Sequence, residues 1–449
     1  MERLVIVSNR VPDPTELQQP AGGLAVALAD ALRMEKSSLW FGWSGQISEQ
    51  QNGDGLHSVT ADRTTYVTTD LTRAQHRGYY QRYSNGIVWP LFHYRAGLMD
   101  YSRTDWEAYR AVNRMFAEKL MPLLRPGDTI WVQDYHLFLL AQELRALGAT
   151  CPIGFFLHIP FPPWSLFRAL PFATDVLKAM ASYDQIGLQT REDAYNLNEC
   201  FRITRIEASG RAFPIGIDPV SFAEEAITSA ESPEARRLQA SLRGKPLIIG
   251  VDRLDYSKGL EERFLGYQQL LRRFPEHRGN VTYLQITPVS RGEVEEYRLL
   301  RRKLDEVIGR INGTFSNVDW TPIRYLTHPI PRPLLAGFYR LADIALVTPL
   351  RDGMNLVAKE FIAAQDEADP GVLVLSDMAG AAPELPEALL VNPHDPDDTA
   401  DALHRALKMP EDERRARWKM LDNVVRTTTA GSWARDFLAA LRGQTEPRM

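Results

Sequence analysis

Basic residues in this 449-residue chain recur just after short apolar runs: Arg10, then Arg253 with Lys258, then Arg291. A guanidinium makes paired bonds to phosphate oxygens and an ammonium adds a point charge, so these residue types suit a phosphorylated ligand. Singly, each also reads as an ordinary salt-bridge partner. The repeated position, in both halves of the chain, favours phosphate and allows two such ligands. Asp134, His158, Asp352 and Glu360 occupy similar places. Glu360 follows Leu356 by one helical turn, so its carboxylate points at sugar hydroxyls beside any anion held by the helix start. The alternative is a capped surface turn with an exposed Glu. His158, set among Phe155, Phe156, Leu157 and Ile159, reads either as a core histidine or as a site residue. Gly22 and Gly23 precede an apolar helix over 24–32, where backbone can approach a ligand closely.

The elements that must position these groups alternate between strand and helix. Residues 344–347 form an apolar strand stopped by Pro349, residues 351–355 a polar turn, and residues 356–365 a helix. Strands are also expected at 4–7, 129–132, 153–157, 186–188, 246–251, 281–286 and 372–375. Helices are expected at 137–147, 165–180, 260–272, 293–310 and 399–407. Residues 39–45 are a further apolar segment, and 46–62 a loop or irregular hairpin. The polar stretch 224–237 reads as a linker or solvated helix, after which the alternation restarts. This is the logic of an α/β protein with two doubly wound, Rossmann-like domains, 1–230 and 231–449, with helices from about 411 crossing back to the first. Ligands in such sheets bind past the carboxyl ends of the strands.

Composition removes several classes of function. Hydrophobic residues at 44% and charged residues at 24% are globular values. No apolar run reaches membrane-spanning length, and the first ten residues read as a strand and not a signal peptide, so a cytoplasmic protein is expected. A net charge of -5 with mixed signs gives no general attraction for nucleic acid. Cys151 and Cys200 lack metal spacing, and Asp395, Asp397 and Asp398 read as helix-start acids, so no metal or cofactor is expected. Neither a zinc-protease nor a serine-hydrolase motif is present. The first strand ends in Ser8, Asn9 and Arg10 instead of a glycine triplet, which argues against a nicotinamide oxidoreductase.

The segments SNR (8–10), AGGLAVAL (21–28), LWFGWSG (39–45), WPLFHYR (89–95), VQDYHL (132–137), GFFLHIPFP (154–162), DRLDYSKGL (252–260), SRG (290–292) and RDGMNLVAKE (351–360) occur in that order. Together they closely resemble the trehalose-6-phosphate synthases of glycosyltransferase family 20. The resemblance runs to about Trp433. It implies a retaining glycosyltransferase of GT-B type, with two domains facing a cleft, that joins glucose from a nucleoside-diphospho-glucose, most readily UDP-glucose, to glucose 6-phosphate.

Carried over motif by motif, the resemblance gives Arg253 and Lys258 the donor diphosphate, with the backbone of Gly22, Gly23, Leu356 and Val357, and gives Glu360 the ribose. Asp352 with Gly353, Met354 and Asn355 takes the donor glucose, and His158 contacts it near its reacting end. Arg10, Tyr80, Trp89 and Arg291 form the acceptor site, and Asp134 positions an acceptor hydroxyl. The implied mechanism is front-face substitution without a metal. A homo-oligomer, dimer or tetramer, is also expected. Residues 200–213 are short beside relatives with a longer hairpin there, and no carboxyl-terminal phosphatase domain is read in the chain. The competing readings are a related transferase with another sugar- or polyol-phosphate acceptor, and a noncatalytic sugar-phosphate-binding subunit.

Overall fold

The computed structural model describes residues 3–13, 28, 32, 37–49, 55–289 and 295–443. The chain forms two compact units, Met1–Ile215 with Ala430–Met449, and Gly216–Thr429. Among the described residues the first unit holds an eight-stranded sheet of order β3-β4-β2-β1-β5-β6-β7-β8. Its strands are β1 (Arg3–Arg10), β2 (Ser38–Ser48), β3 (His57–Ala61), β4 (Thr64–Thr72), β5 (Asp128–Gln133), β6 (Ile153–Phe156), β7 (Gln185–Leu188) and β8 (Gly210–Ala212). All neighbours are parallel except the β3–β4 hairpin, which closes one edge. Apolar β1 and β5 are buried along most of their length, as parallel strands covered on both faces must be.

The second unit has six parallel strands in the order β11-β10-β9-β12-β13-β14. They are β9 (Leu247–Val251), β10 (Thr282–Ile286), β11 (Ile323–Leu326), β12 (Ile344–Val347), β13 (Val372–Ser376) and β14 (Leu389–Val391). This is the doubly wound Rossmann order. In each unit the winding reverses beside the first strand: β1 pairs with both β2 and β5, and β9 pairs with both β10 and β12.

The unit boundary falls at Ile215/Gly216, earlier than residue 230, for a packing reason. The Pro219–Ala230 helix, capped by Asp218, lies on the Arg332–Leu341 helix. Gly337 makes that approach possible, since a Cβ there would meet Ser229 C at 2.7 Å, and Arg332 pairs with Glu225 at 3.1 Å. The helix expected over 165–180 is broken into Trp164–Phe167 and Ala173–Met180. Phe172 between them has φ 62°, and its ring stacks on Trp106 at 5.1 Å. The helix expected over 137–147 starts later, at Leu140.

Of the carboxyl-terminal helices, Glu411–Thr427 stays with the second unit, where Trp418 Nε1 donates to Ile362 O. Only Ala430–Leu441 belongs to the first unit. Its Phe437 stacks on Trp131 at 5.0 Å and meets Phe156 at 5.7 Å. Gly154 and Gly187 leave room for that ring, because a Cβ on either would come within 2.8 Å of it. Phe437→Ala is expected to destabilise the protein by about 3–5 kcal/mol. The check is the denaturant midpoint of the first unit's transition, and a shift of under 1 kcal/mol would remove this helix from the core.

Candidate active site

The crevice of the first sheet opens past the carboxyl ends of β1 and β5. Arg10, the last residue of β1, is exposed and lies over Gly45, where a Cβ would come 2.9 Å from Arg10 Nε. Trp43, in register with Arg10, brings its ring 5.7 Å from Tyr80. Tyr80 stacks between His76 at 5.3 Å and His136 at 5.7 Å. It sits in a thirteen-residue π-helix, His76–Val88. Such helices are rare and usually a single turn long. Within it Tyr79 and Tyr83 turn into the core, and the Tyr79 hydroxyl donates to Asn9 Oδ1 at 2.8 Å. Trp89 is buried beside Tyr135, with ring centres 5.7 Å apart.

Asp134 follows β5 with φ 72° and ψ 168°. That conformation costs a non-glycine residue on the order of 1–3 kcal/mol. It is held by the Asp134 amide, which donates to Phe156 O at 2.7 Å, while Asp134 Oδ1 accepts from the His158 amide at 3.2 Å. Arg10, Tyr80, Trp89, Asp134 and His158 therefore gather at one end of one sheet.

The protonation of His158 follows from its neighbours. The Ile215 amide can only donate, and it donates to Gln189 Oε1 at 3.1 Å. The other end of that amide, Nε2, must then donate to His158 Nδ1 at 3.1 Å. Nδ1 is thus unprotonated, and the ring proton sits on Nε2 and is given to Gln133 Oε1 at 2.9 Å. Burial pushes the imidazole pKa down to about 3. Both ring nitrogens are taken, so the ring is a neutral strut.

In the second unit the matching crevice lies past β9 and β12. Arg253 is exposed just after β9. Lys258 ends a short turn braced by Asp255, which accepts from the Ser257 amide and from Tyr297 OH. Lys258 Nζ pairs with Asp352 Oδ2 at 2.5 Å, and Asn355 Nδ2 donates to the same oxygen at 3.0 Å. The groups expected to take phosphate and sugar thus hold each other. Asn355, with φ 79°, opens the Leu356–Ala364 helix, and its Oδ1 is buried without a hydrogen-bond partner.

The loop carrying Asp352, Gly353 and Met354 is fixed from behind by the small-residue turn after β13. Gly380 N donates to Asp352 O at 3.1 Å and Ala381 N to Met354 O at 2.8 Å. Any Cβ at Gly380 would stand 1.8 Å from Gly353 O, so only glycine fits. Glu360 is half-buried one turn into the helix with Leu356 and Val357. Burial raises its pKa to about 7, with Glu225 adding to the rise and Arg332 opposing it. Gly22, Gly23 and Arg291 lie outside the described residues.

Sequence reasoning missed Arg263, which is fully buried in the Leu260–Arg273 helix. It pairs with Asp252 at 2.6 Å and donates to Thr348 Oγ1, Gln285 Oε1 and Lys258 O. In sequence it is one arginine among several on a charged helix, and nothing there marks it as buried. Gln133 and Gln189 were visible only as polar strand ends. Asp395 caps its helix through the amides of Asp397 and Asp398, as those acids suggested.

Two doubly wound units, each with candidate sugar-phosphate groups at its own switch point, define a GT-B type glycosyltransferase. The profile of Glycosyltransferase family 20 matches residues 2–443, and the chain belongs to that family. A trehalose-6-phosphate synthase from Cronobacter sakazakii is 46% identical over 462 residues, covering 100% of this chain and 96% of that protein. A crystal structure of an alpha,alpha-trehalose-phosphate synthase (UDP-forming) from Burkholderia vietnamiensis superposes with TM-score 0.96 at 44% identity and covers 99% of each chain. The Burkholderia xenovorans enzyme in complex with glucose-6-phosphate gives 0.94 at 43%, covering 98% of this chain and 100% of that one. No helix among the described residues is long and apolar enough to cross a membrane.

Two measurements test the site electrostatics. By nitrogen-15 NMR, His158 should show one tautomer, protonated on Nε2, without titrating between pH 5 and 9. Gln189→Leu should release it to a tautomer mixture, and a wild-type ring titrating near its ordinary value would refute the clamp. For Glu360 the folded-state pKa is raised from 4.5 to about 7, so the carboxylate exists only above that pH. If it accepts from ribose hydroxyls, donor KM should rise as pH falls through about 7. The raised pKa also costs stability, a loss that builds between pH 4.5 and about 7 and is complete above it. Glu360→Gln should therefore raise Tm at pH 8, an effect fading toward pH 4.5, while donor binding weakens.

Proposed function

We propose that this chain transfers glucose from UDP-glucose to the anomeric hydroxyl of glucose 6-phosphate, with retention, giving α,α-trehalose 6-phosphate. The observation that carries the reading is the Lys258–Asp352 pair at the start of the Leu356–Ala364 helix. It puts a cation, a carboxylate and helix-start amides at one switch point, the combination that a hexose on a diphosphate requires. Arg253 and Lys258 take the diphosphate, Asp352 with Gly353, Met354 and Asn355 the glucose, Leu356 and Val357 amides the phosphate oxygens, and Glu360 the ribose. Gly22 and Gly23 are assigned to the donor through the family motif. The Burkholderia xenovorans relative supports the acceptor, to which we assign Arg10, Tyr80, Trp89, Asp134 and Arg291.

In the mechanism we propose, the bond from the anomeric carbon to the diphosphate oxygen breaks, the acceptor hydroxyl oxygen bonds to that carbon on the same face, and its proton passes to the departing phosphate oxygen. Arg253 and Lys258 offset the charge that grows on the diphosphate, and they do so more in the transition state than in the bound donor. The reading is tested by measuring nucleoside diphosphate release from UDP-, ADP- and GDP-glucose with and without glucose 6-phosphate, with the product identified. Release from UDP-glucose that depends on glucose 6-phosphate and yields trehalose 6-phosphate is expected. Arg253→Ala should lose about 3 kcal/mol of transition-state stabilisation, over 100-fold in kcat/KM. Near-normal turnover in that variant, or release driven only by another acceptor, would overturn the assignment.

A further inference from the structure

At the opposite end of the Leu260–Arg273 helix from Lys258, three side chains converge that the chemistry above does not use. His277 closes the short turn Pro275–His277. His404 comes from the Pro396–Lys408 helix, and Glu276 precedes His277. The His277 Nε2 and His404 Nδ1 atoms are 2.9 Å apart. His404 Nδ1 lies 3.9 Å from Glu276 Oε1, and one ligand atom from each of the three residues lies within 4.8 Å of the others.

The rings are held in place by other contacts. Phe274 stacks on His404 at 3.9 Å and 10°. The turn beneath His277 is fixed by backbone hydrogen bonds, the His277 amide donating to Phe274 O and the Asn280 amide to His277 O, and by Arg278 Nε donating to Leu271 O at 2.7 Å.

We propose that Glu276, His277 and His404 form a structural binding site for one zinc ion or a similar late first-row divalent cation. Two imidazole nitrogens and one carboxylate oxygen are the donors such ions prefer, whereas magnesium and calcium favour oxygen alone. Metal–nitrogen bonds of about 2.0–2.1 Å at tetrahedral angles need the nitrogens roughly 3.3 Å apart. The nitrogens must therefore part by a few tenths of an ångström, and the rings must turn so that lone pairs now aligned along one hydrogen bond converge on the ion. The proton now shared between the rings moves to the far nitrogen of its own ring, so both bind as neutral imidazoles and no net proton is lost. Glu276 offsets one positive charge, while Lys408, which faces His277, opposes the ion. Glu276 is exposed and His404 partly so, which leaves the remaining coordination position to water. Bound there, the ion clips the end of one helix to the side of the next and stabilises the second unit, because the unfolded chain does not hold the three ligands together.

The test uses full-length protein stripped with chelator, then titrated with zinc, with cobalt(II) as a spectroscopic probe and magnesium as a control. One equivalent should bind, cobalt should give the visible absorption of a tetrahedral site, and zinc should raise Tm by about 3 °C or more. His404→Gln, whose side-chain amide offers His277 both a donor and an acceptor, should fold and lose the shift. Glu276→Gln should weaken binding about tenfold, and transferase turnover should be unchanged in both variants. No zinc-dependent shift in the wild type, or the same shift in His404→Gln, would overturn the proposal.

Discussion

The second unit depends on one buried charge pair, Arg263 with Asp252. Neither side chain is appreciably exposed, and burial pushes the Asp252 carboxyl up while Arg263 and Lys258 pull it back. An isolated charge there would be prohibitively unfavourable, so each group is tolerable only because the other is present and further bonds are satisfied. Those further bonds are what matter for the site. The guanidinium reaches Thr348 after β12, Gln285 in β10 and the carbonyl of Lys258 after β9. One planar donor group with five hydrogens thus fixes the separation of three strand ends. Gly259, with φ 61°, then lets the chain pass Thr348 O, where any Cβ would come within 2.2 Å. Lys258 is aimed at Asp352 as a consequence.

The first unit pays for its site in a different way. Asp134 keeps a backbone conformation foreign to its residue type, and Gln133 Nε2 is buried without a partner. Both residues also touch His158, Asp134 through its carboxylate on the His158 amide and Gln133 through its Oε1 on the ring. A buried donor left unmade costs about 1–3 kcal/mol. The compensating stability comes from the aromatic layer behind the sheet, where Trp131, Phe156 and Phe437 are close-packed. Strain at the strand ends and apolar packing beneath them are therefore two halves of one arrangement.

Much of this was legible in the sequence because parallel strands leave a plain trace. Short apolar runs ending in polar clusters located most of the strands, and β12 matched to the residue. Of the strands not placed, β3, β4, β8, β11 and β14 are short, alternating or at an edge, where burial on one face leaves a weaker pattern, while β2 was read only as an apolar segment. Partners distant in sequence were not legible at all. Gln189 with Ile215, Arg263 with Thr348, and Gly380 with Gly353 are set by tertiary packing, and no local propensity encodes them. The Ile215/Gly216 boundary was hidden for the same reason, since Gly337 and Arg332 hold the helix after Asp218 through contacts far away in sequence.

The tautomer of His158 bears on the chemistry we propose. A double displacement needs a carboxylate nucleophile, and general-base catalysis needs a group free to receive a proton. His158 has neither nitrogen to offer: taking a proton on Nδ1 would break the bond from Gln189, and its low pKa opposes the charge. Glu360 lies a helical turn beyond the amides assigned to the phosphates, and Asp352 is held by Lys258 and Asn355. Asp134 spends one oxygen on the His158 amide. In the mechanism we propose, the proton of the acceptor hydroxyl goes instead to the substrate itself, onto the departing phosphate oxygen. A site of this kind does its work by placing two substrates and steadying one growing charge.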